Sequence, residues 1–141
     1  MILSGEPLRR AASEALRPSP AESDYGAVSV DIYAAIDEPR VVESGEHLVV
    51  PAYPDIAVPL DKAVMITGRS SHMRRGVFMP AGWLDPGFES DRDAGRPLKL
   101  EFGNTSDGAA ILDHREPAAR LTFFEVLGDT DGYDGSYGVQ Q

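Results

Sequence analysis

The chain has 141 residues, 42% of them apolar, and a formal net charge of -10 with an isoelectric point near 4.6. That length suits a single domain, 1–141, with one hydrophobic core, and that charge excludes a protein that coats nucleic acid, which needs a basic face. The absence of cysteine excludes disulfides and thiolate-held zinc, including the zinc deaminases built on H-x-E and P-C-x-x-C.

In chain order, the opening "MILSGEPLRRAASEALRP" carries no cationic start before an apolar run, so no signal peptide is expected. Glu6 to Leu16 instead reads as one short helix. Pro7 suits its first turn, and Leu8, Ala11, Ala12 and Ala15 fall on one face. "RPSPAESD" ends it. Val28, Val30 and Ile32 then alternate with polar neighbours, an Asp at 31 among them. His47–Pro51, Ile56–Leu60 and Ala63–Thr67 are further β-rich runs. Leu98, Leu100 and Phe102 alternate with Lys99 and Glu101, and Leu121–Leu127 closes the series. Fourteen glycines and eleven prolines punctuate these runs at the spacing of an all-β barrel or sandwich. Between them, Ser70–Arg75 reads as a turn. From about 128 to 141 the chain is Gly-rich, acidic and aromatic, which fits either a disordered end or an arm that orders over a ligand. No run approaches a membrane span, and a soluble cytoplasmic protein is the expectation.

Against the acidic background one stretch gathers cations. "GRSSHMRRG" puts Arg69, Ser70, Ser71, Arg74 and Arg75 in a small volume, a cradle of guanidinium, hydroxyl and backbone N–H groups suited to phosphate. It lacks the spacing of a P-loop, and the same letters also make an ordinary solvated turn. "WLDPGF" sets Asp85 at the end of an apolar run, before a Pro-Gly turn; buried there, it could take a proton from water. In "LKLEFGN", Glu101 shares a strand face with Lys99, normally a solvent-facing position. Asp31 in "SVDIYAA" is an unusual residue for the middle of a strand. The three histidines, His47, His72 and His114, show no metal-ligand spacing and read as surface or supporting residues.

Taken in order, these pieces resemble the dUTP diphosphatase and dCTP deaminase superfamily. "SVDIYAA", "GRSS" and "AGWLDPGFES" are similar to its first three motifs, and "LEFGN" is similar to a strand of the deaminase side. "YDGSYGVQ" echoes its C-terminal arm. The shortened segment from Gly76 to Asp85 brings the chain nearest to the archaeal dUTP diphosphatase-like members of the deaminase branch. The resemblance implies a distorted β-barrel of jelly-roll type with one short N-terminal helix, assembled as a homotrimer with sites shared between subunits. It implies a deoxynucleoside triphosphate substrate carried with Mg2+.

The resemblance also implies roles. For dUTP hydrolysis to dUMP and pyrophosphate, Asp85 orients the attacking water and Arg69, Ser70 and Ser71 hold phosphates. Asp31 helps to fix the metal-bound triphosphate, acting on the metal only indirectly. Ala81, Trp83, Phe88 and Tyr137 fall where the family contacts the nucleoside, Phe88 replacing a Tyr that packs the deoxyribose. For the alternative, deamination of dCTP alone or before hydrolysis, Glu101 activates water at C4 of cytosine, with Arg69, Ser70 and Arg74 in support. Two departures stand out: "SDRDAGRP" lengthens the loop before Leu98, and Arg120 occupies a position where the family has Gln. A non-catalytic nucleotide-binding relative is the third reading.

Overall fold

The computed structural model describes residues 1–89 and 95–131. Helix α1, Gly5–Ala15, buries Leu8, Ala11, Ala12 and Ala15, the spacing of a single apolar stripe. Its small alanines let the helix lie close on the sheet. Leu16 leaves the helix to begin β1, Leu16–Arg17, which pairs with β5, Asp55–Ile56. The expected strand over Ile56–Leu60 therefore stops at Ile56. Val58 instead exchanges backbone hydrogen bonds with the 87–88 turn, Val58 N–H to Phe88 O at 2.9 Å and Gly87 N–H to Val58 O at 3.0 Å.

The main sheet uses β2, Val30–Ala34; β4, His47–Tyr53; β6, Lys62–Gly68; β7, Val77–Phe78; β8, Gly82–Leu84; β9, Lys99–Asn104; and β11, Ala119–Glu125. Its seven strands run in the order β7-β9-β4-β2-β11-β6-β8, each pair antiparallel. Burial alternates residue by residue along β2, β4 and β9, as a sheet with one dry face requires. Val30, Ile32, Leu100, Phe102, Leu121 and Phe123 fill that face. A smaller pair, β3 (Arg40–Val42) with β10 (Ala110–Leu112), closes one end. The all-β expectation with one N-terminal helix holds. The Ser70–Arg75 turn contains a single helical turn, α2, Ser70–Met73.

The two edge strands are neighbours in the chain. Only Met79, Pro80 and Ala81 separate β7 from β8, a span of about 14 Å at full stretch. The sheet must therefore curl until its edges nearly meet, which makes the distorted barrel. At this seam Gly68 backs onto Met79: a Cβ added at 68 would lie 3.3 Å from the Met79 Cβ. The glycine of "GRSS" thus serves barrel closure as well as the turn that follows.

A buried amide secures the neighbouring loop. Asn104 is 2% exposed. Its Nδ2 donates to Val42 O and Gly108 O at 2.8 and 2.9 Å, while its Oδ1 accepts from the Ser106 N–H and Oγ. Against this loop Gly76 holds φ 87°, and a Cβ there would meet the Ser106 Cβ at 2.5 Å. Gly76→Ala combines a left-handed backbone with a clash that neither side can relieve. It is expected to cost about 3 kcal/mol of stability, read as a lower urea midpoint at unchanged slope.

Candidate functional site

Three groups of the expected residues occupy three places. The first lies on the outer sheet face. Asp31 on β2, Arg120 on β11 and Thr67 on β6 are cross-strand neighbours in register. Arg69, just past the end of β6, reaches back so that its Nη1 donates to Asp31 Oδ1 at 2.6 Å. Both side chains are about four-fifths buried, at 20% and 22% exposure. Arg120 Nε stands 3.6 Å from the same oxygen. One carboxylate thus organises two guanidiniums, and beside them Ser70, Ser71, Arg74 and Arg75 are exposed on α2 and its end. At the next outward position of β2, the Tyr33 hydroxyl donates to Asp24 Oδ1 at 2.5 Å. That bond, with burial and the charges of Asp24 and Asp31 opposed by Arg69, pushes the phenol up to about 12.

The second place is a cavity of about 190 Å³ at the barrel seam. Ile66, Ala81, Trp83 and Leu84 line one wall, and Lys99 and Glu101 line the other. Glu101 is exposed, as strand alternation predicts, but it opens onto the β7–β8 connection. Trp83, 55% exposed, stacks at a tilt on Phe124 with centroids 5.0 Å apart.

Asp85 is the third. It begins a β-turn closed by Phe88 N–H to Asp85 O at 3.0 Å, with Gly87 at φ 86°. Pro followed by a left-handed Gly is the type II pattern that "DPGF" encodes. Two expectations about this turn are corrected. Asp85 is exposed, not buried, because the turn projects it beyond β8. Phe88 is a core residue, 5% exposed; its ring anchors the turn and is not presented to a sugar. Tyr137 and the arm beyond Asp131 lie outside the described residues.

Along one chain the Arg69–Ser71 turn and Asp85 are far apart. Leu84 pairs with Val64, so Asp85 lies level with Ala63, six residues down β6 from Arg69. At strand rise that is roughly 15–20 Å.

Glu89 carries no signal in the sequence, and His72 reads there only as a surface or supporting residue. In the structure His72 is 3% exposed beneath α2. The outward side of that short turn is taken by Ser70, Ser71 and Met73, which leaves His72 facing in. Burial, then the Arg75 charge, lower its pKa, with Glu116 opposing and Arg69 adding to the fall. Glu89 is 1% exposed on a left-handed backbone of φ 57°. Neither shows a sequence signal, since each belongs to a polar run that reads as solvated.

Residues 29–126 match the dCTP deaminase-like family, and the chain belongs to that family, within the wider dUTP diphosphatase and dCTP deaminase superfamily. A relative from Acidothermus cellulolyticus, called "dCTP deaminase, dUMP-forming", is 39% identical over 110 residues, covering 72% of this chain and 56% of its own. The chain spans about half the length of the curated relatives it matches. Among solved structures, the dUTPase of Streptococcus mutans superposes with TM-score 0.63 at 19% identity, over 83% of this chain and 89% of that one. A mutant dUTPase of phage phi11 of S. aureus, described with a structural Mg(II) ion, gives 0.61 at 15% identity, over 82% and 91%. At such identities these structures establish the jelly-roll-like fold. Together the matches define a nucleotide-processing enzyme family. Among the described residues no helix is long and apolar enough to cross a membrane.

The His72 environment has a consequence for acid stability. Because the folded pKa is lowered, the unfolded chain takes up a proton first as pH falls below about 6.5. Stability should then fall by about 1.4 kcal/mol per pH unit until the folded pKa is reached. His72→Leu should remove this acid-side loss, as read by urea midpoints measured between pH 5 and 8.

Proposed function

We propose that the protein forms dUMP, hydrolysing dUTP to dUMP and pyrophosphate in deoxynucleotide metabolism. The observation that carries this reading is the Asp31–Arg69–Arg120 cluster beside Ser70 and Ser71: a concentrated cationic patch on a protein of net charge -10. A local patch of that kind binds a polyanion against the global field. Arg69 and Arg120 spread the negative charge of the triphosphate. The Ser70 and Ser71 hydroxyls donate to phosphate oxygens. Asp85 accepts a proton from water as its oxygen attacks the α-phosphorus, and the bond from that phosphorus to the β-phosphate bridging oxygen breaks, releasing pyrophosphate.

Mg2+ enters this reading only as the counter-ion of the triphosphate. A hard cation of this size takes about six oxygen ligands. Asp31 already bonds Arg69 and faces Arg120, and among the described residues no three acidic or histidine side chains gather to hold a metal. These residues do not fit a protein-held ion, and no step is assigned to one.

Because Arg69 and Asp85 of one chain stand roughly 15–20 Å apart along β6, the reading has a second copy bring its Asp85 to the first copy's phosphate turn, in keeping with the expected homotrimer. Arg69→Ala and Asp85→Asn should each lose activity as pure preparations, Asp85→Asn by about a thousandfold, the size of a lost general base. Co-assembled, the two variants should regain a measurable fraction of wild-type pyrophosphate release. A site built within one chain would regain none.

The second reading, deamination of dCTP, is favoured by Glu101 on the wall of the seam cavity and by the dUMP-forming deaminases among the relatives. There Glu101 activates water for attack at C4 and ammonia leaves. Purified protein should be offered dUTP and dCTP separately with Mg2+, at low and high salt, scoring pyrophosphate, ammonia and the nucleotide left. Pyrophosphate from dUTP with dCTP untouched is the expected result. Ammonia from dCTP that is lost in Glu101→Gln would establish the second reading. Binding without any product would leave only a nucleotide-binding relative.

A further inference from the structure

The helical turn that carries Ser70 and Ser71 on its outside carries His72 on its inside. The His72 ring stands edge-on to Phe102, with centroids 6.4 Å apart at 81°, and Phe102 directly follows Glu101 in β9. Among the described residues neither ring nitrogen reaches full hydrogen-bond geometry, although the residue is 3% exposed. The charged groups around the ring are few. Arg69 and Arg75 belong to its own turn, and Glu116 comes from the segment between β10 and β11. The Ala118 backbone carbonyl is a weak acceptor for the ring, and from β9 the uncharged Phe102 packs against it. Glu116 Oε2 lies 3.9 Å from His72 Nε2 and 3.5 Å from Arg75 Nη2. One carboxylate oxygen is therefore within ion-pair reach of two groups and fully engaged by neither.

A buried imidazole whose nitrogens are only weakly satisfied is costly, and an aliphatic side chain would fill this space without that cost. Its neutrality follows from burial and from the two arginines of its turn. A polyanion seated on those arginines cancels the field that keeps the ring neutral. Both nitrogens then become donors, and Glu116 is at hand to accept.

We infer that His72 is a proton-coupled positioning residue: when a triphosphate is held at Arg69, Ser70 and Ser71, His72 takes a proton from solvent and its imidazolium draws Glu116 against the underside of α2. This rests on the triphosphate reading of that turn. The phosphate-binding turn is thereby tied to the β10–β11 segment only in the bound state, and through Phe102 it stays registered with the strand that bears Glu101. By linkage, whatever raises the proton affinity of His72 on binding also makes binding tighten as pH falls.

The test uses the full chain and α,β-imido-dUTP, which binds without turning over. Calorimetry at pH 6.5 in two buffers of different ionisation enthalpy measures protons taken up per nucleotide bound, and affinities are followed from pH 8 to 5.5. The terminal phosphate of the nucleotide titrates in the same window and contributes equally to every variant, so the comparison with His72→Leu isolates the imidazole. Wild type should take up more protons than His72→Leu, and its affinity should rise more over that range, by up to about tenfold, the linkage limit of a one-unit pKa rise. Glu116→Gln should show reduced uptake. Equal uptake and equal pH slopes in wild type and His72→Leu would overturn the inference while leaving the triphosphate site standing. Should His72→Leu not fold, the His72 Cε1–H resonance of wild type, titrated with and without the analogue, decides: an upward pKa shift supports the inference and an unmoved or lowered one overturns it. A wild type that does not bind the analogue at any pH overturns the triphosphate reading and this inference together.

Discussion

Closure of the barrel seam is the constraint on which the rest of the structure depends. Because Met79 to Ala81 alone join β7 to β8, the outermost strands of the sheet are bound to lie side by side. The curl this imposes carries the dry face inward and leaves a cavity where the edges approach without pairing. It also brings Gly68 against Met79, at a distance that leaves little room for a side chain. The turn after Gly68 is therefore launched from a backbone held on both sides, and Arg69 inherits that precision.

Electrostatics then divides the surface. A chain of net charge -10 would repel a nucleotide in the mean, yet the sheet register sets Arg120 beside Asp31, and Arg69 folds back to the same oxygen. The carboxylate lets two guanidiniums stay close together, at lower repulsion than they would feel alone. Beneath them His72 shows the opposite compromise, a titratable ring kept neutral where its neighbours are cations. The two features lie on opposite sides of one helical turn and share Arg69 as a neighbour.

Much of this was legible in the order of residues. Alternation in "SVDIYAA" and "LKLEFGN" predicts strands with Asp31 and Glu101 on the polar face, and both are found there. Proline and glycine in "DPGF" predict the turn that ends β8, and the stripe of Leu8, Ala11, Ala12 and Ala15 predicts α1. Local steric rules act over a few residues, so a local pattern suffices to read them. Burial is not local. Asp85 and Phe88 stand in one four-residue turn, yet one is exposed and the other is in the core, because Val58, some thirty residues away, docks the far side of the turn.

The sequence by itself determined the family, the all-β character, the turn chemistry and which side chains have phosphate-binding or proton-accepting chemistry to offer, since these depend on residue type and near-neighbour spacing. Only the tertiary structure decided which of them meet. It paired Asp31 with Arg69 across 38 positions of chain, set Glu101 against the β7–β8 connection that it does not adjoin in sequence, and held Asp85 about a strand's length away from Arg69. It also turned His72 inward. These outcomes follow from strand order and the forced curl of the sheet, which bring together residues that no local periodicity relates.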